Sequence, residues 1–226
     1  KIFKNIRLVK SLIILTHIRH SEKVFNMMRL LLFLILTFSC HSFTKADDIK
    51  DFQIDGYSLN ESLLNYYSKE DLKANWKHEK NGYGFKSKKY FKFAFEIKDR
   101  GLYERNIIIY TLRKDKKYKI QSITAFAYYP NKIDKCYDVQ LTLSKDFETV
   151  FPNTKKEIFE YNNKHDPHGQ STEKDIIFIF DDGSEAGIAC LDWGKKYTKQ
   201  NNSEDHMQVF LDTKGYADWL KGPAYK

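Results

Sequence analysis

No stretch of this 226-residue sequence keeps twenty apolar residues together, no serine sits in a Gly-x-Ser-x-Gly elbow, and cysteine occurs only three times. Each absence excludes something. A helix needs about 20 apolar residues to cross the hydrocarbon core of a bilayer, so the apolar run from Leu30 to Ser39 is too short for a stable span. Without the elbow, the nucleophile of an α/β-hydrolase has no place to sit. Internal repeats and low-complexity tracts are also missing.

A basic surplus is present only at first sight. The formal net charge is +8, from 38 Lys and Arg against 30 Asp and Glu. Eight of those basic residues, and only Glu22 of the acidic ones, fall within the first 46 positions. The remaining 30 basic and 29 acidic residues leave a net charge of +1. Long-range attraction to nucleic acid or to an anionic membrane needs a net or patchy positive excess. Residues 47–226 have no net excess, which argues against nucleic acid as a partner.

What is there begins with a leader. Met27, Met28 and Arg29 form a short positive n-region. The apolar run follows, and Thr44-Lys45-Ala46 offers small residues where a signal peptidase cuts. This is the layout of a secretory signal peptide over residues 27–46. Residues 1–26 are then upstream read-through or a leader extension, with Met27 or Met28 as initiator, and 47–226 is a single globular domain. The expected destination is the periplasm or the exterior, with no stable membrane span once the signal is cleaved. A lipoprotein acylated on Cys40 is the alternative, although Phe38 is bulky for that type of cleavage site.

Loss of Cys40 with the leader leaves Cys136 and Cys190. Oxidising compartments permit such a pair to bond, and the cytosol does not. The other reading is two buried free thiols.

The pattern predicts an α+β fold, with a mostly antiparallel sheet of six to seven strands, one long central helix and short terminal helices. Ser58 with Glu61, and Ser68 with Asp71, have capping-box spacing and predict two short helices. Phe85, Phe91, Phe93, Phe95 and Ile97 alternate along one half-buried strand. "RNIIIYTLR" and "KIQSITAFAYY" continue it as a meander, since the turns are too short for parallel crossovers. Residues 131–150 repeat apolar positions at three and four, an amphipathic helix carrying Cys136 and stopped by Pro152. "EIFEYN", "DIIFIF", "AGIACLDW" and "HMQVFLD" are further strands, "DDGS" is a hairpin turn, and Thr213 caps a last helix ending at Leu220. The helix of 131–150 is expected to pack across the sheet.

"DFQIDGYSLNESLLNYYSKEDL", followed in order by "KCYD", "TVFP" and "CLDW", resembles short, exported, uncharacterised proteins of AT-rich, small-genome marine bacteria. That resemblance implies an exported, periplasmic protein. It carries no activity or site residues to transfer.

Four stretches invite a chemical reading. Gly82-Tyr83-Gly84-Phe85 matches the centre of an RNA-recognition signature, whose aromatics stack on bases. The match fails at Asn81, Lys86 and Lys88, and two helices precede it in place of a strand–helix–strand unit. "HDPHG" offers His165, Asp166 and His168 as metal ligands, with Asp181 and Asp182 as carboxylates that could approach. The other reading is a solvated loop beside a turn. Asp192-Trp193, next to Cys190, is an acid–aromatic pair or simply packing around the disulfide. "KSKK" with Lys92 suits an anionic surface or a glycan, or is a solvated strand face. His78 and His206 read as neutral surface histidines. No cofactor-binding pattern is present. The expectation is a non-enzymatic envelope binding or accessory protein that takes an envelope protein or a small ligand. The alternative is an envelope hydrolase or metal-dependent enzyme using the His165/His168 loop.

Overall fold

The structure is a computed structural model that describes residues 48–79, 84–97, 103, 106–164 and 166–226. The expected leader, Cys40, the segment before the leader, Gly82, Tyr83 and His165 lie outside the described residues.

Among the described residues, α1 (Lys69–Glu79) precedes a meander of β1 (Tyr90–Glu96), β2 (Asn106–Leu112) and β3 (Ile120–Tyr128). The long helix α2 (Ile133–Val150) leads into β4 (Lys155–Asn162), β5 (Thr172–Ile179) and β6 (Glu185–Asp192). A short helix α3 (Lys195–Asn201) precedes β7 (His206–Asp212), and α4 (Lys214–Leu220) follows it. All seven strands join one antiparallel sheet in the order β1-β2-β3-β7-β6-β5-β4. This is the expected α+β class.

The order is two meanders joined at β3–β7, where Ser122 to Tyr128 pair with Asp212 to His206. Helix α2 carries the chain from β3, near the middle, to β4 at the far edge. It packs on β6, with lesser contact to β7 and β5. Its inner side presents Cys136, Gln140, Ser144 and Phe147. Burying an aromatic or aliphatic side chain of that kind contributes roughly 1.5–3 kcal/mol. Gln140 is tied down by its amide, which donates to Lys174 O at 2.7 Å and Ile188 O at 2.8 Å.

The Cys136–Cys190 disulfide fastens α2 to β6, with Cα atoms 6.1 Å apart. That separation lies within the reach of a disulfide. Cys190 shares its face of β6 with Ile188 and Ala186, so the bond sits inside the main core.

Strand alternation divides the sheet into two faces. The first face carries Phe93, Phe95, Ile109, Ile123, Val209, Ile188, Ile176 and Phe178, and is covered by α2, α1 and the 48–68 segment. Phe91, Phe93 and Phe95 follow the expected alternation, but Phe85 does not. It precedes β1 and packs beneath α4 on the second face, with ring centroids 4.8 Å from Trp219 and 6.2 Å from Tyr110.

Residues 58–67 depart from expectation as well. Only a single 3-10 turn, Leu63–Asn65, forms there. The backbone of this segment is used across the chain instead: Asn60 N donates to Ile120 O, Ile120 N to Glu61 O, and Leu63 N to Tyr118 O. Donors and carbonyls spent on the entry to β3 are unavailable for helix bonds. The second capping box forms: Asp71 N donates to Ser68 Oγ at 3.1 Å, and Ser68 N to Asp71 Oδ2 at 3.3 Å.

The two edges of the sheet differ. At β1 the side chain of Asn75 stands in for a neighbouring strand, bonding both backbone groups of Ala94. At β4, no described residue does this.

Candidate functional site

Among the described residues, a hydrophobic cluster covers the second face of the sheet at one end. There α4 packs Tyr216 and Trp219 on Tyr90, with Ala224 closing the cluster. Cross-strand partners share a face in an antiparallel sheet, so the registers list what stands side by side at the other end. One row is Tyr161, Glu173, Leu191, His206 and Tyr128. The next is Phe159, Asp175, Ala189, Gln208 and Phe126. Two carboxylates therefore stand on β5, an apolar floor on β6, and a polar-aromatic wall on β7 and β3. The carboxylates and His206 are separated by two strand spacings, roughly 10 Å.

The carboxylates are fixed from β4 and the loop after it. Tyr161 Oη donates to Asp175 Oδ2 at 2.8 Å, and Asn163 Nδ2 donates to Glu173 Oε2 at 2.9 Å. Asp175 is buried, and its Oδ1 has no hydrogen-bond partner. Burial, reinforced by the charge of Asp175, pushes Glu173 up to about 7. Burial likewise pushes Asp175 up to about 6, although the Tyr161 hydroxyl opposes it. Burial and the same two acids raise the Tyr161 phenol. The C-terminal Tyr225 reaches this neighbourhood too, since its phenol is raised by burial and then by the charge of Glu173.

On the opposite wall the rings run together. Trp193 stacks on Tyr197 with centroids 4.7 Å apart and planes 14° from parallel. His206 lies 5.7 Å from both Phe126 and Tyr128. Its Nδ1 lies 2.7 Å from Glu204 O and 3.4 Å from Trp193 Nε1, and its Nε2 lies 3.1 Å from Gln208 Nε2. All five aromatic and imidazole rings are partly exposed.

The candidates named from sequence fall elsewhere or differently. Asp166 is a loop organiser: its carboxylate accepts from the backbone of His168, Gln170 and Ser171 at 2.9–3.0 Å and from Ser171 Oγ at 2.8 Å. Burial alone would raise its pKa, but these bonds outweigh it and hold the carboxyl below the usual range. His168 turns its Nε2 toward Gln200 Oε1, 3.2 Å away on α3. Asp181 and Asp182 cannot approach this loop. They sit in the β5–β6 turn, at the far end of an eight-residue strand that rises roughly 3.3 Å per residue. Asp182 there accepts from Ser184 N at 2.8 Å. Among the described residues, no group of three His, Cys, Asp or Glu side chains is placed to hold a metal.

The remaining stretches are absorbed into packing. Lys92 pairs with Glu79 at 3.1 Å, and Lys89 lies over the Tyr90 ring. Trp193 N donates to Asp205 Oδ1 at 2.9 Å, which fixes the indole at the rim. His78 is a surface residue beside Glu79, while His206 is built into the aromatic wall. A cavity of about 240 Å³ opens at the other end of the sheet, lined by Asp48, Lys50, Phe151 and Phe180 among others. It is remote from the carboxylate pair, and Asp48 there is engaged by Lys50 at 2.9 Å.

Sequence reasoning missed the Glu173/Asp175 pair. Its only trace is an i, i+2 acidic spacing, which puts both groups on one strand face once "TEKDIIFI" is read as a strand.

Comparison with known proteins adds no relative: no family model, no curated protein and no solved structure matches this chain. Among the described residues, no helix is long and apolar enough to cross a membrane.

Proposed function

We propose that this chain is an exported binding or accessory protein of the periplasm or cell exterior, non-enzymatic, with its ligand surface on the second face around Glu173 and Asp175. One observation carries the reading: two carboxylates, one of them buried with an unpartnered oxygen, face a wall of partly exposed rings across an apolar floor. Carboxylates raised by burial are short of positive charge. A ligand ammonium group over the pair would supply the charge, and the rings favour a cation over their faces. The ligand class is therefore a small organic amine. The core disulfide and the leader-like 27–46 segment support the oxidising compartment. The alternative enzyme on the His165/His168 loop has less behind it, because Asp166 is consumed by the loop's own backbone.

Nuclear magnetic resonance titration tests the binding surface, with spermidine and a neutral trisaccharide as probes. Spermidine is expected to shift the amides of Ala189, Leu191 and Tyr161, and Asp175→Asn to abolish the shifts. Spermidine shifts confined to other surfaces, or none at all, would overturn the reading.

A further inference from the structure

Strand β4 ends the sheet, and no described residue pairs with the backbone of its outer side. Ile158 is 59% exposed, Phe159 42% and Tyr161 43%, so three of the five exposed large hydrophobic side chains among the described residues stand on this one strand. A fourth, Leu141, is 51% exposed on α2. It lies one turn from Tyr137, whose ring receives Lys174, and two turns from Glu148, which pairs with Lys156 at 2.6 Å. Leu141 thus flanks the same edge, on the side of Ile158. The contrast with β1 is direct: there Asn75 occupies the edge backbone at Ala94, whereas no described residue bonds the outer backbone of 155–162. An open backbone edge with exposed apolar side chains is a template for strand addition.

We propose that β4 pairs antiparallel with β4 of a second copy of this chain, making one sheet continuous across a two-fold axis. The charges select the occupant and the register. Opposed residues in an antiparallel pair share one face and one hydrogen-bonding orientation. On a strand paired with itself, residues of odd and even number therefore cannot oppose each other. The self-pairings left are those centred on a single residue. Centring on Lys156, Glu157 or Glu160 sets like charges face to face, which is destabilising. Centring on Phe159 opposes Ile158 to Glu160 and Glu157 to Tyr161. Centring on Ile158 opposes Lys156 to Glu160 twice, Ile158 to itself, and Lys155 to Tyr161. Centring on Lys156 also opposes Lys155 to Glu157, but only with Lys156 set against itself, so the Ile158 register alone matches opposite charges without opposing like ones, and it buries the exposed Ile158 on the axis. The interface is isologous, as a two-fold dimer requires.

Sedimentation equilibrium on the purified protein reads the result. The expected mass is that of two copies, falling toward one on dilution. Ile158→Lys sets two ammonium groups on the axis, and its expected mass is that of one copy. Its far-ultraviolet circular-dichroism spectrum should be unchanged, since residue 158 is exposed and the fold of each chain is kept. Lys156→Glu alone is expected to give the monomer, and the double variant Lys156→Glu/Glu160→Lys to restore the dimer. A protein monomeric at every concentration overturns the proposal. So does a dimer that survives Ile158→Lys and Lys156→Glu, or a double variant that remains monomeric. Capture of some other protein's strand by a monomeric chain counts against it as well.

Discussion

Asn75 brackets Ala94: its Nδ2 donates to Ala94 O at 2.7 Å, and Ala94 N donates back to its Oδ1 at 3.2 Å. A side-chain amide is the shortest group that presents the donor and acceptor pair of a neighbouring strand. Asn75→Ala is expected to cost about 1–3 kcal/mol, because two half-buried backbone groups lose their partners. Asn75→Asp should recover only part of that loss, since a carboxylate accepts but cannot donate. Urea denaturation of the three proteins checks the order, and an aspartate variant as stable as the parent would refute it.

Gly187 lies beneath the ring of Phe210, so close that a Cβ at residue 187 would stand 2.1 Å from Phe210 Cζ. The two residues are cross-strand partners on β6 and β7. Gly187→Ala is expected to destabilise by about 1–3 kcal/mol through overpacking. Adding Phe210→Leu should return part of that stability, whereas Phe210→Leu alone should destabilise. A double-mutant cycle by thermal denaturation measures the coupling.

Asp212 is buried on the second face, near Glu185 and the Lys221 that pairs with it. Burial raises its pKa to about 7, with the charge of Glu185 adding to the rise and a Ser122 hydrogen bond and Lys221 opposing it. The unfolded value is about 3.9. Between those two limits the folded protein holds a proton that the unfolded chain has released. Stability is therefore greatest near pH 4 on this account and declines as pH rises toward 7. The full effect is at most about 4 kcal/mol. Asp212→Asn should flatten the profile and raise the melting temperature at pH 8. A parent protein more stable at pH 8 than at pH 5, with the asparagine variant unchanged, would contradict the argument.

The disulfide bridges residues 54 apart in sequence. Closing such a loop contributes roughly 4 kcal/mol by constraining the unfolded chain. Reduction is expected to lower the melting temperature by several degrees. Denatured, unreduced protein lacking the leader should titrate no free thiol.

The leader-like pattern of residues 27–46 gives the last prediction. Mass spectrometry of natively expressed protein is expected to find an N-terminus near Asp47. A cytosolic protein starting at Met27 would remove the export reading, and acylated Cys40 would select the lipoprotein.

Much of this architecture was legible because it rests on local pattern. Phe91, Phe93 and Phe95 alternate, and apolar positions at three and four run through 133–150, so the elements declared themselves. The 58–67 segment did not, because its capping residues were overridden by backbone pairing with Tyr118 and Ile120, fifty residues away. Helix α3 was missed because "KKYTKQN" buries no side chain and so shows no apolar face. The carboxylate pair was invisible for a related reason. Glu173 and Asp175 become a site only when β6 supplies small neighbours and β7 supplies rings, and no local spacing encodes which strands will be adjacent.

Strand β7 follows the other six strands in sequence, yet it lies between β3 and β6 in the middle of the sheet. Until His206–Asp212 is available, the two meanders have no shared strand, and each presents an open interior edge. Completion of the sheet is therefore deferred until β7 has been made. Pairings so distant in sequence are slow to form. A product truncated before residue 206 would expose two complementary edges, and aggregation rather than partial function is its expected fate.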